Sequence, residues 1–317
     1  MFKRILCIML ILIIGITFGC FGKKAEEKKD VKDIKAKVAE YADPIKGADN
    51  KARDAAKEKL GALAKLKNPE DLSLFQELAK DGSKDVRAAL MSALAGAPDG
   101  AGYWEIFEKF IDSKDKDDYR NACWYTDGFG RNDATKSKVE AAWEKAFKSN
   151  TEEEAKRNAL TGLRRVGSPA AIMKLQAFSI DDPEASPGIV ATGIDELVWI
   201  RKLNKSRLEE FMPKENPKTK KPNHPYVRAM AIYRYGSLKT KDKAIAKELV
   251  KYLDDMSEAK YKGDTAWGGG FVAGSAIRAL EACCGHDAVK SANRNIFNEK
   301  DVKALAKEWK AYVAKMK

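Results

Sequence analysis

From Gly82 to Gly96 the chain reads GSKDVRAALMSALAG, and its apolar residues Val86, Ala89, Leu90, Ala93 and Leu94 fall at i, i+3, i+4, i+7 and i+8. That spacing sets them on one stripe of a helix and predicts an amphipathic element closed by Gly96. The stripe returns along the chain. Windows aligned on Arg87 carry Arg53, Arg87, Arg120, Arg157, Ala191, Arg228 and Ala273 at the matched position, at intervals of 34, 33, 37, 34, 37 and 45 residues. Three residues beyond each of these stand Ala56, Leu90, Cys123, Leu160, Ile194, Ala231 and Ala276, all apolar and mostly small. Such a column marks the line along which each helix is buried against its neighbours, and it makes Cys123 a small core residue rather than a reactive thiol.

Second stripes lie between these windows: Leu72, Phe75 and Leu78; Tyr103, Ile106, Phe107 and Phe110; Val139, Ala142, Trp143 and Phe147; Ala171, Leu175 and Phe178; Ile245, Leu249 and Leu253; Val302, Leu305, Trp309 and Val313. Two helices per period make a hairpin that cannot hide its apolar faces alone, and stacking successive copies buries them. The windows resemble the second helix of the HEAT repeat, of the armadillo-like family, over about residues 48 to 315. The resemblance implies an all-α fold, a right-handed α-solenoid of about seven stacked helical hairpins. It also implies ladders of Asp and Arg between adjacent turns, for which Asp85 and Asp118, two residues before Arg87 and Arg120, are suited. A period near 34 also fits tetratricopeptide repeats, but their Trp, Leu-Gly, Tyr and Pro signature is absent.

The first 22 residues, MFKRILCIMLILIIGITFGCFG, have a basic start at Lys3 and Arg4 and an apolar run from Ile5 to Phe18. This is the pattern of a secretory leader, and the run is shorter than the roughly 20 residues that span a bilayer. Gly19 and Cys20 resemble the end of a bacterial lipobox, although Thr17 and Phe18 differ from its usual aliphatic and small residues. The resemblance is to a bacterial HEAT repeat lipoprotein. It implies lipidation at Cys20 and, with Phe21 rather than Asp following, an outer-membrane anchor facing the periplasm. The domain plan is therefore a signal peptide over 1–19, a lipidated cysteine and charged tether over 20–48, and a repeat domain over 49–317.

Composition narrows the functions. With 44% hydrophobic and 33% charged residues the chain has the make-up of a folded, helix-rich protein. Lys and Arg exceed Asp and Glu, 59 to 47, for a net charge of +12. The excess is spread along helices, and it admits an acidic polymer as a partner. Secretion, and a lysine-rich loop without interleaved aromatics, argue against nucleic acid. Five cysteines give no disulfide framework, and His224 and His286 are too isolated for a metal cage. No triad, metal motif or nucleotide fingerprint is present, so no catalytic residue, metal or cofactor is assigned and the chain reads as a non-enzyme. Asp195 and Glu196, neighbours on one helix, are expected to point to different sides.

Two connections are long. MPKENPKTKKPNHP, Met212 to Pro225, is predicted to be an extended loop, and KYKGDTAWGGGFVAGS opens the last hairpin as a flexible or closely packed connection. Polar and aromatic residues replace aliphatic ones late in several windows. Trp124 and Asp127 in the third, Arg164 in the fourth, Trp199 after the fifth, and Arg234 with Tyr235 in the sixth are expected to form a strip that binds a protein or peptide partner.

Overall fold

A computed structural model describes residues 33–238, 241–266, 269–286, 288–289 and 295–316. The expected signal peptide and Cys20 lie outside the described residues. The fold is an all-α helical repeat, and it divides after Thr135 into two compact units.

The first unit contains α1 (33–46), α2 (Asn50–Leu66), α3 (Leu72–Leu78), α4 (Lys84–Ala95), α5 (Tyr103–Ile111) and α6 (Lys116–Gly130). Within it α2 packs on α4 and α4 on α6, while α3 and α5 pack together as a second layer. The buried column holds: Ala56, Leu90 and Cys123 are all in the core. Residues 33–46, within the charged tether expected to be partly helical, are helical and place Ala42 and Ile45 in that core. Few apolar residues among many lysines suffice here because the helix needs only one narrow buried edge.

The second unit contains α7 (Lys136–Ser149), α8 (Glu153–Val166), α9 (Pro169–Phe178), α10 (Pro187–Trp199), α11 (Lys205–Glu209), α12 (Pro225–Gly236), α13 (Lys243–Val250), α14 (Val272–Cys284) and α15 (Glu299–Lys315). Here α8, α10, α12 and α14 pack successively through Leu160, Ile194, Ala231 and Ala276, all buried. α12 and α14 come closest, and a Cβ on Gly236 would collide with the backbone of Ala279. Helix starts follow local chemistry. Ser168 and Ser186 cap α9 and α10 with their hydroxyls, each followed by Pro at the first helical position, where its missing N–H is not needed. His224 caps α12: its Nδ1 accepts a hydrogen bond from the Tyr226 amide at 3.1 Å, and burial lowers its pKa and favours the neutral ring this requires.

Both long connections are more ordered than the sequence suggested. The Met212–Pro225 segment closes on itself: Glu215 bridges Pro222, and Asn216, buried, accepts from the amides of Lys218 and Thr219. The segment before α14 forms a β-hairpin, β1 (Lys260–Tyr261) against β2 (Asp264–Thr265). Its turn uses positive φ at Lys262 and Gly263. Its base is fixed by buried Ala259 and Ala266, which are hydrogen-bonded to each other and, through Ala259, to Gly270.

In the arginine column the ladder implied by the resemblance has a rung at Arg87. Arg87 Nε lies 2.8 Å from Asp118 Oδ1, and its Nη2 lies 2.8 Å from Asp115, the residue that caps α6. Arg53 instead donates to the carbonyl of Gly47, and Arg228, buried, ties the Met212 carbonyl to Asp255. One column of arginines thus serves three local purposes.

Candidate functional site

In the second unit a cleft of about 600 Å³ lies along α8, α10 and α12 and is closed on one side by the β-hairpin. α8 contributes Glu153, Glu154, Arg157, Asn158 and Thr161, residues one and two turns apart on a single face. α10 contributes Ala191, Thr192 and Asp195, at the repeat positions of Arg157, Asn158 and Thr161, together with Glu196. Tyr226 and Met230 come from α12, and Tyr261, Lys262 and Asp264 from the hairpin.

Ion pairs and hydrogen bonds hold the walls. Thr161 donates to Glu196 Oε1 at 2.5 Å and Arg157 Nε donates to Thr192 at 2.9 Å, each bond joining α8 to α10. Arg164 pairs with Glu196 from behind the wall, and Arg234 of α12 donates to Asp195 at 2.5 Å. The hairpin is fastened at its tip. Tyr261 donates to Glu153 Oε2 at 3.0 Å, Lys262 reaches the same oxygen at 2.7 Å, and Arg157 Nη1 lies 2.9 Å from Asp264. Gly188 makes room for this clasp, since a Cβ there would collide with Glu153 Oε1.

Two glutamates on facing helices titrate in opposite directions. Burial pushes the Glu153 carboxyl up, but the bonds from Lys262 and Tyr261 together with the Lys262 charge outweigh it and hold it below the usual value. Burial raises Glu196 as well, Asp195 adds to the rise, and Thr161 and Arg164 offset only part of it, so Glu196 titrates above the usual carboxylate range. Among the described residues no group of three or more His, Cys, Asp or Glu is arranged to hold a metal ion.

The residues expected to bind a partner fall in different settings. In the first unit Trp124 is 58% exposed, and Asp127 pairs with Arg131 one turn on. In the second unit Trp199 is 69% exposed at the end of α10, one turn beyond Asp195 on the same face. Arg164 and Arg234 are mostly covered and serve as the backing of the cleft rather than as its surface. Tyr235 is a correction: its ring is fully buried and its hydroxyl donates to Glu209 at 2.9 Å. α12 is packed by α10, α14, α11 and α13, which leaves it little outward face. A second correction concerns Asp195 and Glu196, which line the same cleft because a concave wall gathers side chains 100° apart on a helix.

The cleft lies one to two turns before the residues singled out in the fourth, fifth and sixth windows. Polar residues at the anchor and at one and four residues beyond it, Arg157, Asn158 and Thr161 in one window and Thr192 and Asp195 in the next, were the available signal. In the sixth window the corresponding Ala229 and Ile232 are apolar, which hides it.

A smaller groove of about 340 Å³ occupies the first unit. It is lined by Lys57, Gly61 and Lys65 of α2, by Asp85, Ala88, Ala89, Ser92, Ala93 and Gly96 at α4, and by Tyr125 of α6.

The fold and cleft define a helical-repeat protein with a polar cleft along three helices of the repeat column. No protein-family model matches the chain, and no curated protein matches it. Among solved structures it is similar to an engineered protein from the Northeast Structural Genomics Consortium, with 16% identity and a TM-score of 0.34 over 87% of this chain and 78% of that one. It is also similar to a designed armadillo repeat protein, with 16% identity and a TM-score of 0.30 over 78% of this chain and 99% of that one. A third is a computationally designed armadillo repeat protein for modular peptide recognition, with 16% identity and a TM-score of 0.29 over 77% and 97% of the two chains. Scores of this size carry no property of those proteins over to this chain.

Proposed function

We propose that the protein is a lipid-anchored scaffold of the cell envelope that binds a protein or peptide partner on the face shared by α8, α10 and α12. The observation that supports the binding half is the cleft itself, a polar concavity whose α8 and α10 walls use matched positions of successive repeats. Repeat arrays present such matched positions as continuous binding surfaces. The anchoring half rests on the leader and on Cys20. A lipidated cysteine with more than one acyl chain would hold the protein on the membrane, facing the periplasm, with no spanning helix required.

Two experiments test this reading. Cys20→Ser is expected to abolish labelling by a palmitate analogue and to release the protein from membranes; a variant that remains membrane-bound with its leader attached refutes lipid anchoring. A photocrosslinking amino acid at Asn158 is expected to give protein or peptide adducts in cells that the same group at Lys148, on α7, does not. Equal or absent adducts refute the assignment of the cleft.

A small-molecule or enzymatic pocket is the second reading, favoured by the placement of both Asp195 and Glu196 in one enclosed volume. It predicts adducts only with low-mass probes. A binder of acidic cell-wall polymer would have to use other surfaces, because carboxylates outnumber cations in this lining.

A further inference from the structure

α13 and α15 pack against each other at the end of the second unit and leave an open seam marked by two depressions, of about 280 and 330 Å³. The first sets Lys243, Lys247 and Val250 against Lys310, Val313 and Met316, and the second sets Leu253 and Met256 against Lys303, Ala306 and Lys310. The helices therefore run antiparallel, and Lys310 belongs to both depressions. From 303 to 316, α15 and its cap follow the seam for roughly 20 Å at the helical rise per residue. Neither helix lines the cleft, so this is a second surface.

Its chemistry is one-sided. The lining holds five lysines, Lys243, Lys247, Lys303, Lys307 and Lys310, against one carboxylate, Asp254. Lys310 takes Asp254 at 2.5 Å, and Lys303 is held by Glu299 at 2.6 Å. The side chains of Lys243, Lys247 and Lys307 have no ion pair or hydrogen bond among the described residues. Lys243 and Lys247 stand one turn apart on α13, as Lys303 and Lys307 do on α15, so the charges form two rows along the rim. Between the rows the floor is apolar: Leu253, Ala306 and Val313 are buried in it, and Val250, Met256 and Met316 are half-buried. Methionine side chains adapt their shape to what they meet.

This combination selects among occupants. A flat lipid surface could meet the lysines but could not enter the depressions between them. A sugar polyanion would leave the floor unused, since no residue of either lining offers a side-chain hydroxyl, amide or aromatic ring. The chain's own residues 22–32 carry five lysines against three carboxylates, and a second copy brings a net charge of +12, so both are opposed by like charge. An amphipathic segment with apolar and acidic residues matches floor and rim together, the mode in which a helix lies in a groove. We propose that the seam of α13 and α15 docks an acidic amphipathic segment of a partner protein, with apolar side chains in the two depressions and Asp or Glu side chains on Lys243, Lys247 and Lys307.

The test uses the full chain and a fluorescent helix-forming peptide of about fourteen residues, roughly four turns, with leucines along one face and glutamates beside them. One companion peptide has glutamine for glutamate, and another has serine for leucine. By fluorescence anisotropy the acidic peptide is expected to bind at least about tenfold more tightly than either companion and to weaken as salt is raised. Lys243→Glu with Lys247→Glu is expected to weaken it about tenfold, and Lys243→Gln, Lys247→Gln and Lys307→Gln together by about the same factor. Lys51→Glu with Lys59→Glu makes the same change in net charge on exposed lysines of α2 and is expected to alter binding less than about twofold. The replaced seam lysines are unpaired, so the parent's melting curve, recorded alongside, is expected for each variant. Equal binding of either companion, or seam variants that bind as the parent does, overturns the inference. So does equal weakening by the α2 pair, which would make the contact one of net charge alone. Binding of phosphatidylglycerol vesicles or of a polyuronate as tightly as the acidic peptide, with the same lysine dependence, overturns it in favour of a membrane or a sugar polymer. Self-association of the chain that is lost with Lys243→Glu and Lys247→Glu overturns it in favour of a second copy.

Discussion

The groove of the first unit and the cleft of the second both lie on helices of the repeat column, yet their linings differ in charge. Gly61, Ala88, Ala89, Ser92 and Ala93 line the first, with Lys57 and Lys65 at α2, whereas five carboxylates and two tyrosines line the second. The arginine column tells the same story in one residue. Arg87 is nearly buried and ties α4 to Asp118 of α6, while its counterpart Arg157 is about one-third exposed and forms part of a cleft wall with Asp264. The repeat sets the positions, and the side chains placed there decide whether a position is a tie, a spacer or a wall. A hairpin reaching back over the helices is found at the second site, and no strand is described in the first unit.

What the two units share should be the hardest thing to lose. Leu90→Asp in the first and Leu160→Asp in the second each bury a charge with no partner, and each is expected to cost several kcal/mol, on the order of half a domain's stability. Chemical denaturation checks this, and an unchanged midpoint for either would remove that residue from the shared column. The arginines should then separate the units. Arg87→Ala leaves Asp118 buried without its partner and is expected to cost about 3 kcal/mol. Arg157→Ala, in a half-exposed pair, is expected to cost about 1 kcal/mol or less while loosening the hairpin. Equal losses would mean that the two arginines do the same job.

Acid should act on the clasp. The Glu153 carboxyl is held below its usual value, so the stability it contributes is fully present above the unfolded value of about 4.5 and is lost as pH falls through the lower folded value. Glu196, shifted upward, contributes with the opposite sign: its proton is bound more tightly in the folded state, so stability falls as pH rises from the unfolded value to the folded one. Amide exchange of residues 258–266 is therefore expected to stay protected at pH 4.5 and to accelerate below it; release at or above pH 4.5 would contradict the assignment. The smallest effect is reserved for Gly188→Ala. The new Cβ displaces the end of a flexible glutamate rather than backbone, so global stability should change by about 1 kcal/mol or less while the hairpin tip becomes protease-sensitive. An unchanged tip would show that Glu153 does not hold it.

Much of this architecture was legible in the chain. All seven residues of the column from Ala56 to Ala276 are buried, because a period fixed by helix pairs survives any single substitution. At Gly269, in the connection read as flexible or closely packed, the packing is close: a Cβ there would press on the Ile296 carbonyl and on Gly274. The cleft was not legible, since its third wall is a hairpin of two-residue strands whose partners are Glu153 and Arg157, and no local pattern encodes so distant a contact. Nor was the inward turn of Tyr235, because phase within one helix does not report how many neighbours surround it. Trp124 and Trp199 read as exposed and are exposed, each on a helix with a free face.

The clasp also has a consequence in time. Ties between adjacent turns of the second unit span 35 residues for Arg157 with Thr192 and 39 for Arg234 with Asp195, whereas the contacts from Glu153 and Arg157 to the hairpin span 107 to 109. Local ties close early and cheaply in entropy, and distant ones wait until the intervening chain is in place. At a synthesis rate of about 5–20 residues per second, Lys262 follows Glu153 out of the ribosome by on the order of ten seconds. Over that interval the faces of α8 and α10 stand without their third wall, and the clasp marks the moment at which the cleft is complete.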